Sequence, residues 1–159
     1  MAIIELTTRI HAPVERCFDL SRSVDLHKRS TSKTGERAIA GVTSGLIGYG
    51  QEVTWRARHL GIWQNLTSRI TGYHRPSHFR DSMVKGAFRR FDHDHLFERD
   101  GEYTVMRDVF DFTSPAGILG RLIEALFLTR HMRSLLMERN QIIREVAESD
   151  EWKEFLAHG

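Results

Sequence analysis

A change in the period of the apolar residues near Thr113 restricts the fold more than any other feature of this sequence. Before it, apolar and polar residues alternate in short runs, which is typical of strands that bury one face. After it, the chain from Pro115 to Glu148 has no further proline, and apolar residues recur at steps of three and four. We therefore predict a set of strands followed by one helix of about thirty residues, about 45 Å long, which can cross a whole sheet.

The alternating runs and their boundaries predict about six to seven strands and two short helices. The expected strands are residues 2–10, 37–40, 52–59, 63–73, 78–85, 88–99 and 102–112. Pro13 fits the first position of a helix that continues to about Leu20, and a second short helix is expected near residues 23–29. The short connections between consecutive strands indicate an antiparallel meander, so the predicted fold class is α+β.

The composition is that of one ordinary globular domain spanning residues 1–159. A chain of this length buries enough apolar surface for its own core, and a formal net charge of +2 lacks the basic excess of a nucleic-acid binder. The lone Cys17 lies among apolar residues, which predicts a buried thiol in a reducing compartment. Because the sequence shows no signal peptide and no integral membrane segment, we expect a cytoplasmic monomer or homodimer.

Polar residues within the predicted sheet carry the candidate chemistry. A type I′ turn at Asp100-Gly101 predicts that Arg99 pairs with Glu102. Counting back along both strands then places one set of side chains on a single face, as the pairs Phe97–Thr104, His95–Met106, His93–Asp108 and Phe91–Phe110. A histidine beside a carboxylate can act as a general base or orient a ligand hydroxyl, and it can equally be a self-satisfied structural pair.

The connection at residues 85–88 decides which side chains stand beside these histidines. An odd number of loop residues brings Phe79, Asp81 and Met83 to the same face, whereas an even number brings the alternate residues 78, 80, 82 and 84 there. We favour the first register because it joins apolar residues to the aromatic face of the next strand. The candidate catalytic residues for proton transfer are accordingly His93 with Asp108 or Asp81.

His93 and His95 also form a His-X-His pair whose rings point to the same side of a strand. This spacing can chelate zinc if a third ligand is present, and His59 or Asp108 could supply it. Two histidines at this spacing are common by chance in a chain with nine histidines, so we expect no bound metal and no cofactor. A strong chelator is then expected to leave the thermal midpoint unchanged.

Five segments resemble the helix-grip superfamily, which includes START lipid-binding domains, polyketide cyclases/dehydrases and relatives of the birch-pollen allergen. They are IHAPVERCFDL at residues 10–20, GVTSGLIGYGQEVTW at 41–55, FRDSM at 79–83, FDHDHLF at 91–97 and PAGILG at 115–120. The similarity extends from about Ile3 to Ala147 and is that of a bacterial branch. It implies a curved antiparallel sheet wrapped on a long C-terminal helix, but no single activity, because carriers, sensors, cyclases and hydrolases share this scaffold.

The resemblance also implies a cavity between sheet and helix that binds a small hydrophobic ligand, such as a lipid, polyketide, quinone or isoprenoid. We predict a carrier or sensor. An enzyme of the cyclase/dehydratase or hydrolase type is the alternative, and a protein-interaction module is a third possibility. The predicted ligand-binding residues are Trp55, Phe79, Met83, Phe91, His93, His95, Phe97, Met106, Asp108, Phe110, Leu128, Met132 and Leu135.

A basic cluster lies between the short helices and the glycine-rich segment, where this fold often has its cavity entrance. It comprises His27, Lys28, Arg29, Lys33 and Arg37, with Glu36 against it. Such a cluster suits an anionic head group or a transient contact with a membrane surface, although most charge runs are solvated faces. Arg139 interrupts the apolar seam of the long helix, and we expect it to pair with a neighbouring glutamate or a sheet carboxylate.

Overall fold

The structure is a computed structural model that describes residues 1–59, 61–115 and 117–156. Strand β1 (Ala2–Ile10) is followed by the short helices α1 (Val14–Ser21) and α2 (Val24–Ser30) and a 3₁₀ turn at Ser32–Thr34. The further strands are β2 (Arg37–Gly41), β3 (Glu52–His59), β4 (Ile62–His74), β5 (His78–Lys85), β6 (Arg90–Asp100) and β7 (Tyr103–Thr113). The last helical elements are α3 (Ile118–Ile123), a π-helical turn (Glu124–Leu128), α4 (Thr129–Glu148) and α5 (Trp152–Leu156).

The strands form one seven-stranded antiparallel sheet in the order β1-β7-β6-β5-β4-β3-β2. Consecutive strands from β2 to β7 are neighbours, as a meander requires, and β1 pairs with the far side of β7. Helix α1, which follows β1, therefore covers one end of β6 and β7. The predicted fold class, with two short helices after the first strand and a long helix after the last, is confirmed.

The turn between β6 and β7 differs from the predicted one. Asp100 pairs with Tyr103, so the loop residues are Gly101 and Glu102 rather than Asp100 and Gly101. Gly101 has a φ of 60°, which puts glycine at the first loop position, as in type II′ hairpins. Asp100 stays in the strand, where its carboxylate lies 3.3 Å from Arg9 on β1.

This turn shifts each predicted partner across β6 and β7 by two residues. His95 lies opposite Asp108 rather than Met106, and His93 lies opposite Phe110 rather than Asp108. Because side chains alternate with a period of two, an even shift leaves every residue on its predicted face. The predicted pairs were therefore wrong, and the predicted shared face is correct.

The register of β5 with β6 is the one favoured from the sequence. Phe79 pairs with His95 and Asp81 pairs with His93, so Asp81 shares the face of both histidines. His78 and Arg80 lie on the other face, where they bind Asp94. Strands β5 and β6 thus bring one carboxylate and two imidazoles together.

The long helix begins at Ile118 rather than at the predicted Pro115. Gly117 precedes it, and glycine disfavours helix by about 1 kcal/mol relative to alanine; Ala116 lies outside the described residues. In α4, Leu136 packs in a cluster with Ile4, Phe91, Phe110 and Phe112, while Ile143 is in the core cluster that includes residues of α1 and α2. Of the helices that the structure describes, none is long and apolar enough to cross a membrane.

Candidate functional site

A cavity of about 400 Å³ lies between the sheet and the long helix. Strands β3 to β7 form one wall, and the π-helical turn and α4 contribute to the other. Sites for small molecules usually measure about 300 to 1,000 Å³ and have mostly apolar walls with a few polar groups. The volume of this cavity lies within that range, and its wall is mostly apolar.

Most of the predicted ligand-binding residues line this cavity. The sheet contributes Trp55, Phe79, Phe91, His93, His95 and Phe110, and the helical side contributes Leu128, Met132 and Leu135. These residues alternate along the strands and recur every three or four residues along the helix. That they bind a ligand remains a prediction.

Other predicted residues lie outside the cavity wall, namely Phe97, Met106, Met83 and Asp108. Helix α1 covers the end of the sheet that carries the first two: the Phe18 ring lies 5.4 Å from the Phe97 ring, and the Ser21 hydroxyl lies 3.5 Å from the Met106 sulfur. Met83 packs, half-buried, against the apolar cluster beneath the helix. Asp108 is fully buried beside the histidines.

Asp81, His93, His95 and Asp108 form a compact group, which we call the His–Asp cluster. Asp108 Oδ1 lies 3.0 Å from His93 Nε2 and 3.0 Å from His95 Nδ1. On the other side of the rings, Asp81 Oδ1 lies 2.9 Å from His95 Nε2 and 3.8 Å from His93 Nδ1. Each histidine thus lies between two carboxylates, one at the cavity wall and one behind it.

Two residues of α4 complete the surroundings of Asp108. Asn140 Nδ2 donates a hydrogen bond of 2.7 Å to Asp108 Oδ2, and Arg139 Nη1 lies 3.4 Å from Asp108 Oδ1. Arg139 also donates to Asn140 Oδ1 at 2.8 Å and to the Ser21 carbonyl at 3.3 Å. Of the two partners expected for Arg139, the structure shows the sheet carboxylate, Asp108. The sequence did not indicate any role for Asn140.

Both carboxyl groups of the cluster have a lowered pKa. Burial acts to raise the pKa of Asp108, but hydrogen bonds from His93 and His95 and the charge of Arg139 outweigh it and hold that pKa well below its usual range. Burial likewise acts against ionisation of Asp81, and the hydrogen bond from His95 leads the effects that lower its pKa. Both groups are therefore carboxylates at neutral pH.

The two histidines of the cluster shift in opposite directions. Burial, followed by repulsion from His95, lowers the pKa of His93. Burial also opposes a charge on His95, but hydrogen bonds to Asp108 and Asp81 outweigh it and raise the pKa of His95. His93 is thus the imidazole that is neutral at pH 7, and it lies in the cavity wall, where it can accept a proton or a hydrogen bond.

A second histidine pair lies near the opening of the cavity, where the wall residues Ile62 and Ile123 are exposed. His59 Nδ1 at the end of β3 lies 3.1 Å from His131 Nε2 on α4, and burial lowers the pKa of both rings. His59 was considered above as a third zinc ligand for His93 and His95. It pairs with His131 instead, a residue that the sequence did not single out.

His27 belongs to the cavity wall rather than to a surface cluster. Its ring centroid lies 4.4 Å from that of Trp55, and its Nε2 lies 3.1 Å from Glu36 Oε1. Burial acts to raise the pKa of Glu36, but the charge and hydrogen bond of His27 outweigh it and lower that pKa. Other members of the predicted basic cluster form exposed ion pairs: Lys28 with Asp25, Arg29 with Glu151 and Lys33 with Glu138.

Solved structures with the same architecture cover nearly the whole chain. A START superfamily protein from Mycobacterium smegmatis has a TM-score of 0.69 at 9% identity, covering 90% of this chain and 97% of that one. The major latex-like protein 151 of Panax ginseng has a TM-score of 0.68 at 13% identity, covering 93% and 98%. The protein TTHA0849 from Thermus thermophilus has a TM-score of 0.70 at 18% identity, covering 89% and 97%.

No protein-family model and no curated protein sequence matches this chain. At identities this low, the likeness to the solved structures shows the fold alone. The chain has the helix-grip fold, as the resemblance in its sequence implied.

Proposed function

We propose that the protein binds a small, mostly apolar molecule in the cavity, as a carrier or sensor. The observation that supports this most directly is a mostly apolar cavity of about 400 Å³ whose wall includes a few ionisable groups, among them Asp81 and Glu36. Members of START-like folds commonly bind hydrophobic ligands. The ligand class we propose is a lipid, polyketide, quinone or isoprenoid.

The arrangement of the wall suggests how such a ligand is oriented. Its apolar body contacts Phe91, Phe110 and Leu135, and its polar end lies against His93 and Asp81. The buried charges of the His–Asp cluster already have partners, so a ligand hydroxyl or carbonyl adds hydrogen bonds without stranding a charge. Few polar groups in a mostly apolar site set orientation rather than bulk affinity.

A matched pair of tryptophan substitutions on α4 tests whether the cavity is the binding site. Leu135 lines the cavity, whereas Met137 is 55% exposed and lies outside its lining. We expect Leu135→Trp to fill the cavity and weaken binding of a fluorescent long-chain fatty acid by about tenfold or more, which is about 1.4 kcal/mol. Met137→Trp should bind like the wild type, and equal affinity in both variants would refute the proposed site.

Native mass spectrometry of protein purified from its own source tests the ligand class. We expect a population heavier than the bare chain that releases a small apolar molecule on denaturation. Mass analysis of the released molecule identifies its class. A chain that consistently carries no such molecule, and that fails to bind the fluorescent fatty acid, contradicts the proposal.

An enzyme of the cyclase/dehydratase or hydrolase type is the second candidate, and it is favoured by one specific observation. His93 lies in the cavity wall and is the neutral member of the histidine pair, which suits a general base. Asp81 is the carboxylate on the cavity side, whereas Asp108 lies outside the wall. In this alternative, His93 takes up the proton while Asp108 holds its ring in place.

A further inference from the structure

Three side chains of the His–Asp cluster are placed as a set of metal ligands. Asp81, His93 and His95 each offer one ligand atom, and these atoms lie within 4.8 Å of one another. The pairing of Asp81 with His93 across β5 and β6 creates the set. In a tetrahedral zinc site with bonds of about 2.0 to 2.1 Å, ligand atoms are about 3.3 Å apart. The distances of 2.9 and 3.8 Å from Asp81 Oδ1 to the two rings lie on either side of that value.

Asp108 determines which ring nitrogens are free to act as ligands. The carboxylate accepts hydrogen bonds from His93 Nε2 and His95 Nδ1. His93 Nδ1 is then left facing Asp81 with its lone pair, whereas His95 Nε2 donates to Asp81 Oδ1 at 2.9 Å and offers a lone pair once a bound cation displaces that proton. The proton on His95 Nε2 satisfies the contact of that ring with Asp81. His93 Nδ1, which lies 3.8 Å from the Asp81 carboxylate, still lacks a hydrogen-bond donor among the described side chains. A cation bound by all three groups would satisfy each of them.

The residues behind the rings supply the support that metal sites require. Histidine ligands usually donate their second ring N–H to a carboxylate, which fixes the tautomer and orients the ring. Asp108 does this for both histidines at 3.0 Å, and it is itself held by Asn140 at 2.7 Å. This outer layer comes from β7 and α4, so the three ligands are held by rigid elements rather than by a loop.

We propose that Asp81, His93 and His95 bind a divalent transition-metal ion, zinc in the first place, with its fourth position open to the cavity. All three ligands line the cavity, and two histidines with one carboxylate form a ligand set used by zinc sites that keep one position open. Asp81, Asp108 and Arg139 together carry one net negative charge. A divalent ion reverses that charge, so the open position suits an anionic oxygen such as a carboxylate.

The proposed site is contrary to the expectation of no bound metal. The sequence alone offers two histidines and, as a third ligand, His59 or Asp108. The β5–β6 register supplies Asp81, which was considered for proton transfer and not as a ligand. The metal site does not depend on the proposed apolar ligand, because the ion alone can be titrated.

Calorimetric titration of Zn²⁺ into chelator-treated, full-length protein tests the site, with Co²⁺ absorption in the visible range as a second readout. We expect one equivalent to bind, with Co²⁺ bands typical of four ligands. Loss of a residue that only hydrogen-bonds to a metal ligand typically weakens metal binding by roughly 10- to 100-fold. Asp81→Asn removes a ligand itself, so it should weaken Zn²⁺ binding by more than this. His93→Asn, which keeps a polar side chain at that position, serves as a second variant. Circular dichroism of each variant shows whether it is folded.

The outer face of the same two strands provides the control. His78 Nε2 and Asp94 Oδ1 are 2.7 Å apart there, so His78→Ala and Asp94→Asn remove similar groups from the same strands. We expect both variants to bind one equivalent as the wild type does. The proposal is wrong if the folded wild type shows no stoichiometric binding of Zn²⁺, or if the control variants lose Zn²⁺ binding as Asp81→Asn does. Binding of the fatty acid is measured separately, so its failure would not affect this result.

Discussion

His95 lies directly opposite Asp108 across β6 and β7, with its Nδ1 3.0 Å from the carboxylate Oδ1. The carboxylate is fully buried and has partners on β6 and on α4. Buried charges are stable when they are paired and hydrogen-bonded, and costly when they are not. Asp108 is therefore a structural requirement of the polar cluster, whatever the cavity binds.

Removing the carboxylate of Asp108 should strongly destabilise the fold. Asp108→Ala leaves Arg139 buried without a charged partner, and we expect a loss of about 3 to 5 kcal/mol in the free energy of unfolding, measured by urea denaturation. Glu52→Gln, which alters an exposed pair with Arg69, should cost less than about 1 kcal/mol. Similar losses in both variants would contradict the role assigned to Asp108.

Two substitutions of His93 separate a binding site from an active site. If His93 orients a ligand, His93→Ala should weaken binding of the fluorescent fatty acid by about 1 to 3 kcal/mol, and His93→Asn should recover part of the loss. If His93 is a general base, the Asn variant should keep binding but lower turnover by roughly a hundredfold or more. Unchanged binding and stability in both variants would remove His93 from the site.

Two glycines with the same backbone conformation differ in what surrounds them. Gly41 has a φ of 73° and Gly45 a φ of 74°, so alanine is strained at both. A Cβ on Gly41 would also lie 2.2 Å from the backbone oxygen of Glu52, whereas one on Gly45 meets nothing within 4 Å. Gly45→Ala should cost about 1 to 2 kcal/mol. Gly41→Ala should cost clearly more in thermal unfolding, and equal midpoints would contradict this.

The pairing of Asp19 makes stability depend on pH in the acid range. Asp19 accepts hydrogen bonds from Arg75 at 2.6 Å and from Arg22 at 3.0 Å. Burial acts to raise the pKa of Asp19, but these partners outweigh it and lower that pKa from 3.8. The folded pKa lies below the unfolded value, so the contribution is present above about pH 4 and is lost as the pH falls through the folded pKa.

Asp19→Asn should therefore be less stable than the wild type at neutral pH, and the difference should shrink below about pH 4. Urea denaturation at a series of pH values from neutral into the acid range measures it. A difference that stays constant over this range would show that the carboxylate does not contribute through its charge.

The fold could be predicted because the spacing of the apolar residues, and the glycine and proline residues that end each run, are local properties of the chain. The alternating runs gave the strands, and the change of period after Thr113 gave the long helix. The faces of β6 and β7 also followed from alternation, since a shift of two residues preserves them. The residue pairs across these two strands did not follow, because they depend on whether Asp100 belongs to the strand or to the loop. Asp100 stays in the strand, where it contacts Arg9 on β1, a residue far from it in the sequence.

The residues of the candidate site could be predicted only where the orientation of a side chain depends on its own strand or helix alone. Trp55, Phe91 and Leu135 line the cavity because of their place in a strand or helix. Phe97 is on the correct face, but α1 covers that end of the sheet, and a strand pattern carries no information on which helix covers it. Asn140 was missed because its partner is on β7, so its role emerges only when the helix packs on the sheet.

The hydrogen bond between Asn140 and Asp108 also bears on how the helix is aligned along the sheet. Apolar contacts alone are not directional, so a helix displaced by one turn, about 5.4 Å, could bury a similar apolar surface. In this chain such a displacement would separate Arg139 and Asn140 from Asp108 and leave the Arg139 guanidinium buried without its carboxylate, at a cost of several kcal/mol. The polar residues therefore select a single helix position among near-equivalent ones, and they give this small domain a unique native arrangement.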